Sequence, residues 1–334
     1  MSAYIIRRVL WFFPVLFFVG LITFTIARMT PGGPFDRDPD RRQLPARTEK
    51  ILRERFGLDL PLWRQFARYM FLDIETNART GEREIRWGAI GGNFGPTFAS
   101  RGARTVQQEI FKSTRSRPSR FYYSARLGLQ AFAFALFFGI PLGVLAALKQ
   151  NTWLDYLSLL TATSFVALGT LITGLLLVIM FAVTLGWFTV IPDWSQGIKP
   201  WILPTITLGG VSMGFIARLT RTSVLEVKRQ DYVRTAQAKG LGGQAVIWRH
   251  IVRNALLPVV TVMGPLLAGL ITGTLFTELI FQVPGIGTLF VEAIGKRDYS
   301  MIMGSALLFT FFLTFMNLIV DILYGVVDPR ISLS

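Results

Sequence analysis

The sequence predicts an all-α polytopic membrane protein with six transmembrane helices and a small folded external subdomain between the first two. Three observations predict it. Of the 334 residues, 51% are hydrophobic and only 16% charged, with mean hydropathy +0.47; soluble domains carry about a quarter charged residues. Six apolar runs of bilayer-crossing length follow one another, none with a central charge. Between the first two lies a long segment whose aromatic content is too high for a disordered chain.

The first run, Val9–Ala27, follows Arg7 and Arg8. It is longer than the roughly 7–15 apolar residues of a signal peptide, and no small-residue cleavage pattern precedes Thr30-Pro31-Gly32-Gly33. It is therefore expected to be a retained span. Residues 30–126 are too many for a bare connector. There Ala46–Phe56 reads as a helix ended by Gly57, and Leu60–Leu72 as a second with Pro61 in its first turn. Gly91-Gly92-Asn93-Phe94-Gly95-Pro96 is a turn cluster, and Thr105-Val-Gln-Gln-Glu a helix start. Trp63, Phe66, Tyr69, Phe71, Trp87, Phe94 and Phe98 supply a small core. The expected organisation is an N-terminal span over 1–29, the external subdomain over 30–126, and a five-helix core over 127–334.

The remaining spans read Leu127–Leu148, Leu157–Leu185, Trp201–Ala217, Leu256–Phe276 and Met301–Val320. The third is long enough to tilt or to include a turn. Orientation follows lysine and arginine in short loops. Arg7 and Arg8, Lys149, and eight basic residues from Arg218 to Arg253 fall on one side of a six-span topology, against two acidic residues, Glu226 and Asp231. That side is cytoplasmic, and with it both termini. The arginine-rich segment 30–126 pulls the other way, but long loops cross largely regardless of charge.

Residues 218–258, between spans four and five, carry the sharpest local pattern. Asp231 is a candidate N-cap for Tyr232–Lys239, and Gly240 a left-handed terminator, with Lys239 favoured by the helix dipole. After Gly242-Gly243 a second helix, Gln244–Leu257, places Ile247, Trp248, Ile251, Val252 and Ala255 on one face, and Arg249 and Arg253 on another. A capped helix this short needs packing; periodicity leaves open whether a partner protein or the lipid surface receives it.

Composition narrows the chemistry. With no cysteine, disulfides, thiol catalysis and cysteine-ligated metals are excluded, and the single His250 makes a histidine metal site improbable. The net charge of +15 sits between apolar runs, so lipid headgroups account for it better than nucleic acid. There is no HExxH, no GxxxxGK[ST] phosphate loop and no acidic metal cluster, which disfavours a membrane enzyme. A secondary transporter would show internal repeats and midspan charges, neither present. A channel gives no reason for a capped helix between spans. Near span ends, Glu278 and Asp321 are either functional charges or helix anchors. Pro284, Gly285 and Gly287 suit a tight loop that could gate the outer mouth or be an ordinary turn.

Several stretches together resemble one family. Asp231-Tyr-Val-Arg-Thr-Ala-Gln-Ala-Lys-Gly-Leu241 followed by Trp248-Arg-His-Ile-Val-Arg-Asn-Ala-Leu-Leu-Pro-Val-Val260 resembles the cytoplasmic loop signature of peptide and nickel permeases among the binding-protein-dependent ATP-binding-cassette importers. Ala146–Tyr156, Glu278 with Val283–Phe290, Arg297–Tyr299, Asp321–Arg330, Met29–Phe35 and Gly92–Gly95 resemble further family segments, in the right order over most of the chain. The family-wide Glu-Ala-Ala reads Arg234-Thr235-Ala236 here, as in the peptide branch, and 71–91 and 113–126 depart from the usual external segment.

The resemblance implies a type I importer permease of the bacterial inner membrane, working with a second homologous permease, one or two ATP-binding subunits and an extracytoplasmic solute-binding protein. It implies di- or oligopeptide substrates first, with nickel complexes, glutathione and some sugars also carried by relatives of this type, and no cofactor on this chain, ATP and magnesium being bound by the partners. It also implies that Asp231, Tyr232, Val233, Arg234, Thr235, Ala236, Ala238, Lys239, Gly240 and Leu241 engage an ATPase, with Glu278, Pro284, Gly285 and Gly287 as the external loop.

Overall fold

A computed structural model describes residues 2–30, 33, 35, 45–76, 83–114, 117–194 and 197–327. In chain order its helices are α1 (Ser2–Met29), α2 (Ala46–Arg55), α3 (Leu62–Met70), α4 (Val106–Phe111), α5 (Arg120–Leu148), α6 (Trp153–Leu177), α7 (Lys199–Lys228), α8 (Asp231–Ala238), α9 (Leu257–Ile271), α10 (Leu275–Ile280), α11 (Ile286–Gly295) and α12 (Tyr299–Val327). Among the described residues six stretches are long and apolar enough to cross a membrane: Ile6–Met29, Arg120–Leu148, Trp153–Thr184, Lys199–Lys228, Leu257–Ile280 and Tyr299–Ile322. These are the six runs read from the sequence. α1, α5, α7 and α12 extend beyond their apolar runs; α7 continues from Ala217 to Lys228.

One difference from an all-helical reading is a hairpin. Leu72–Thr76 (β1) pairs antiparallel with Arg83–Trp87 (β2), Leu72 opposite Trp87. Leu60–Leu72 had been expected as one helix; it ends at Met70, where the chain turns into β1. Leu72 and Ile74 alternate with Asp73 and Glu75 in β1, a strand period too short to signal strongly. Span three is broken at Gly169 (φ +64, ψ 178) and ends in a π-helix, Val178–Thr184. Span five is broken between α9 and α10, where Gly273 has φ +108.

The chain forms two compact units. One comprises the residues up to Tyr122 together with Thr288–Leu318. Its core joins Phe24, Phe66, Met70, Met303 and Leu307, with Phe17 edge-on to Phe66 at 5.5 Å between ring centres. Phe56 stacks on Phe98 at 4.3 Å. A capping box opens α4: Thr105 Oγ1 accepts from Gln108 N, and the Gln108 side chain accepts from Thr105 N. Asp298, just ahead of α12, accepts from Met301 N at 3.1 Å and Ala99 N at 2.9 Å. Burial pushes its carboxyl above the usual range, against these backbone donors that hold it down. Segments 31–32, 34 and 36–44, which include part of the Met29–Phe35 motif, and residues 328–334, with the Asp-Pro-Arg end of the last motif, lie outside the described residues.

The second unit comprises Tyr123–Gly287 and, among the described residues, 319–327. Here α5, α6 and α7 approach closely enough that a Cβ at Gly214 would strike Ala162 O, and one at Gly143 would lie 2.6 Å from Thr220 Cβ. At one end Tyr123, Leu127, Trp201, Leu270, Phe281 and Val283 form an aromatic core. At the other lies a platform under α8.

Candidate functional site

The platform begins where α7 stops. Arg229 ends it, and Gln230, extended at φ −72 and ψ 147, is the residue before α8. The cap is therefore Gln230, with no side-chain cap bond, and Asp231 occupies the first turn. This corrects the sequence assignment by one residue, and Asp231 retains its favourable place at the positive helix end. The other end matches expectation. Gly240 (φ +77) donates to Gln237 O at 2.9 Å and Leu241 N to Ala236 O at 3.4 Å. The two bonds form the glycine-closed reversal that satisfies terminal carbonyls.

α8 has two distinct faces. Val233 and Ala236 are buried against Val144 and Ala147 of α5, Val224 of α7, and Val246, Ile251, Val252 and Ala255 beyond the loop. Tyr232, Arg234, Thr235, Ala238, Lys239, Gly240 and Leu241 are exposed. Asn254 Nδ2 donates to the Tyr232 hydroxyl at 2.9 Å and to His250 O at 3.0 Å, fastening α8 from the side. The chain itself thus supplies the packing that so short a helix needs. The following segment is not one regular helix: Val246–Val252 is a π-helix between single α-turns. The wider winding rotates Trp248 off the buried face, leaving it 61% exposed where a uniform helix would have packed it with Ile251 and Ala255.

An ion pair that sequence reasoning missed braces this platform. Arg221 of α7 donates through Nε to Asp155 Oδ1 at 2.7 Å and through Nη2 to Asp155 Oδ2 at 2.9 Å. Asn151 N adds a third bond to Oδ2, at 3.0 Å. Asp155 is almost wholly buried, with its side chain 4% exposed. Arg221 entered the sequence reading only as one of the loop's positive charges, and Asp155 only as part of a motif. A signal was present: an acid one turn into an apolar helix needs a partner.

The four external-loop candidates are brought together by the second unit. Glu278 is fully buried, and its Oε1 accepts from Ser124 Oγ at 2.8 Å and Thr274 N at 3.3 Å. Ser124 Oγ in turn accepts from Ile286 N at 2.8 Å. Gly285 N closes a three-residue turn on Val283 O at 2.8 Å, around Pro284. A Cβ on Gly285 would strike both Glu278 Oε2 and Ser124 Oγ, and one on Gly287 would lie 3.0 Å from Oε2. The Trp194 indole donates to Gln282 O at 3.2 Å. Ser124, which the sequence did not single out, links this loop to α5.

The whole arrangement can be set beside known proteins. Residues 139–333 match the family described as "Binding-protein-dependent transport system inner membrane component". The chain belongs to that family. Among similar transport components, the "Glutathione transport system permease protein GsiC" of Escherichia coli (strain K12) is 35% identical over 333 residues, 99% of each chain. The protein of that name from Shigella flexneri serotype 5b (strain 8401) is likewise 35% identical over 333 residues. A solved structure, of inward-facing conformations of the MetNI methionine ABC transporter, aligns with TM-score 0.51 and 17% identity, covering 63% of this chain and 94% of that one. It shows the fold, that of a type I importer permease. As a transport-system inner membrane component, this protein is a permease subunit of an ATP-binding-cassette importer and crosses the inner membrane several times. It is a transport subunit rather than an enzyme, ATP hydrolysis residing on separate subunits, and it works with a solute-binding protein.

Proposed function

We propose that this permease pairs with a second, homologous one to form the path for di- or oligopeptides, and that α8 couples it to ATP hydrolysis. The observation that carries the reading is the two-faced α8, packed on its own chain along Val233 and Ala236 while its other face stays open. Asp231, Tyr232, Arg234, Thr235, Ala238, Lys239, Gly240 and Leu241 would meet an ATPase subunit; Val233 and Ala236 would pass its motion to α5 and α7. ATP and magnesium would be bound by one or two such partners, with no cofactor on this chain. The glutathione relatives support a peptide substrate, glutathione being itself a tripeptide. The loop around Glu278, Pro284, Gly285 and Gly287 would close the outer mouth.

Both termini and α8 would face the cytoplasm, and residues 30–126 would form a scaffold-like subdomain outside. The absence of native cysteine makes this directly testable. In intact cells a membrane-impermeant maleimide is expected to label Lys112→Cys, and to label Lys239→Cys only after permeabilisation; the opposite pattern inverts the topology. Reconstituted with its ATPase and binding-protein partners, the complex is expected to take up labelled peptides with ATP. Uptake of sugars or nickel complexes but not peptides would refute the substrate assignment.

Gly240 gives the coupling test. Beyond its chain neighbours no atom lies within 4 Å of a Cβ built there, so the cost of a Cβ is the left-handed backbone, roughly 1–2 kcal/mol and larger for a β-branched residue. Gly240→Val is therefore expected to leave assembly intact while abolishing stimulation of ATPase activity by loaded binding protein. Gly240→Asn, which tolerates this conformation, is expected to retain most of the stimulation. Full stimulation in Gly240→Val would sink the coupling role.

A further inference from the structure

The first unit encloses a cavity of about 200 Å³ whose described lining includes three arginines, Arg28, Arg55 and Arg68, and no acidic side chain. They come from three elements. Arg28 ends α1, its guanidinium carbon 5.1 Å from the centre of the Tyr299 ring and 5.5 Å from that of Phe24. Arg55 ends α2 beside Gly102, where a Cβ would lie 3.2 Å from the guanidinium carbon. Arg68 lies on α3. Arg28 and Arg55 make no ion pair among the described residues. Arg28 is half-buried and Arg55 exposed; two guanidiniums without an ion pair at the rim of one cavity favour an anion there.

A second observation points the same way. The hydroxyl of Tyr69, an α3 residue of the same lining, is buried and has no hydrogen-bond partner among the described residues. Burial, with the nearby Asp298 charge, pushes its pKa up, so it stays a neutral donor. Asp298 itself is occupied with Ala99 N and Met301 N. Buried hydroxyls without partners are uncommon, and each calls for a ligand or water. Arginine forks match carboxylates in particular, through paired N–H donors.

We propose that this cavity is a binding site for a carboxylate, held by Arg28 and Arg55 and oriented by the Tyr69 hydroxyl. Peptide-sized ligands need pockets of about 300–1,000 Å³, so the cavity takes a carboxylate group and a short stem, not a whole substrate. The carboxylate comes either from an acidic side chain of the docking binding protein or from a small free acid. The first source rests on the proposal that this unit's residues 30–126 lie outside; the second does not, so the two can fail separately.

The test uses the purified permease–ATPase complex. Sodium acetate, against sodium chloride at equal ionic strength, is expected to raise its melting temperature, and Arg28→Gln/Arg55→Gln to remove that rise. Arg55→Gln alone serves as the milder variant, because Arg55 makes no ring contact of the kind Arg28 does; Arg64→Gln, on an equally exposed arginine outside the described lining, is the control. In a second arm the binding protein is titrated onto the complex. Removing a charged hydrogen bond costs about tenfold in affinity. A tenfold or greater loss in Arg55→Gln but not Arg64→Gln identifies the side-chain source. Loss of the acetate effect with unchanged docking identifies the free acid. An acetate effect and docking affinity both unaltered by Arg55→Gln and by the double variant would overturn the site.

Discussion

Replacing Asp155 by alanine is expected to cut ATP-driven uptake by tenfold or more and to lower the melting temperature of the complex. The change removes the partner of both Arg221 nitrogens and of Asn151 N, and leaves a guanidinium facing an apolar helix pair. Breaking a buried pair from one side costs about 3–5 kcal/mol. Arg221 keeps some contact with water, its side chain being 23% exposed, so the lower end, about 3 kcal/mol, is expected. The position turns a local loss into a functional one. Arg221 precedes the end of α7 by seven residues, about 10 Å along the axis at 1.5 Å per residue, and α8 follows within three residues of that end. The pair thus fixes α6 to the stem that carries α8. Removing both charges together, in Asp155→Ala/Arg221→Leu, is expected to restore most of the stability, since an apolar pair can replace a buried ion pair at little cost. If stability returns while uptake stays low, the pair transmits force. Return of both would make it a packing device only. An unchanged melting temperature in Asp155→Ala would refute the argument outright.

How far the sequence went depended on how local each feature is. Six apolar runs located six spans, because a bilayer demands about 20 apolar residues in a row whatever the tertiary structure. Gly240 was legible for the same reason: a helix end followed by a left-handed residue is written in adjacent positions. The pairing of Asp155 with Arg221 is not local. The residues lie 66 positions apart, and only the α6–α7 hairpin brings them together. Ser124 was invisible for the same cause, since its role comes from Glu278, 154 positions away. The exposure of Trp248 shows a different limit. Apolar spacing assigned it to a buried face on the assumption of 3.6 residues per turn, and the π-helical winding of Val246–Val252 breaks that assumption.

Gly285→Ala is expected to damage the loop around Glu278 through a single added methyl. Its Cβ would displace both Glu278 Oε2 and Ser124 Oγ, and moving them strains the bonds from Thr274 N to Glu278 Oε1 and from Ile286 N to Ser124 Oγ. Overpacking costs about 1–3 kcal/mol, and leaving a buried carboxylate short of a donor about as much again. A loss of roughly 3 kcal/mol is therefore expected, with uptake falling in parallel as the loop loses its shape. Ser124→Ala alone is expected to cost about 2 kcal/mol, by stripping a partner from Glu278 and from Ile286 N together. The combination separates this mechanism from general loosening. Removing the Ser124 hydroxyl makes room for the new methyl, so Gly285→Ala/Ser124→Ala should lose clearly less than the sum of the two single changes. Thermal unfolding of the four purified complexes measures that difference. Strict additivity would mean that Gly285 and Ser124 do not share the space around Glu278, and that the loop is held by something other than this carboxylate.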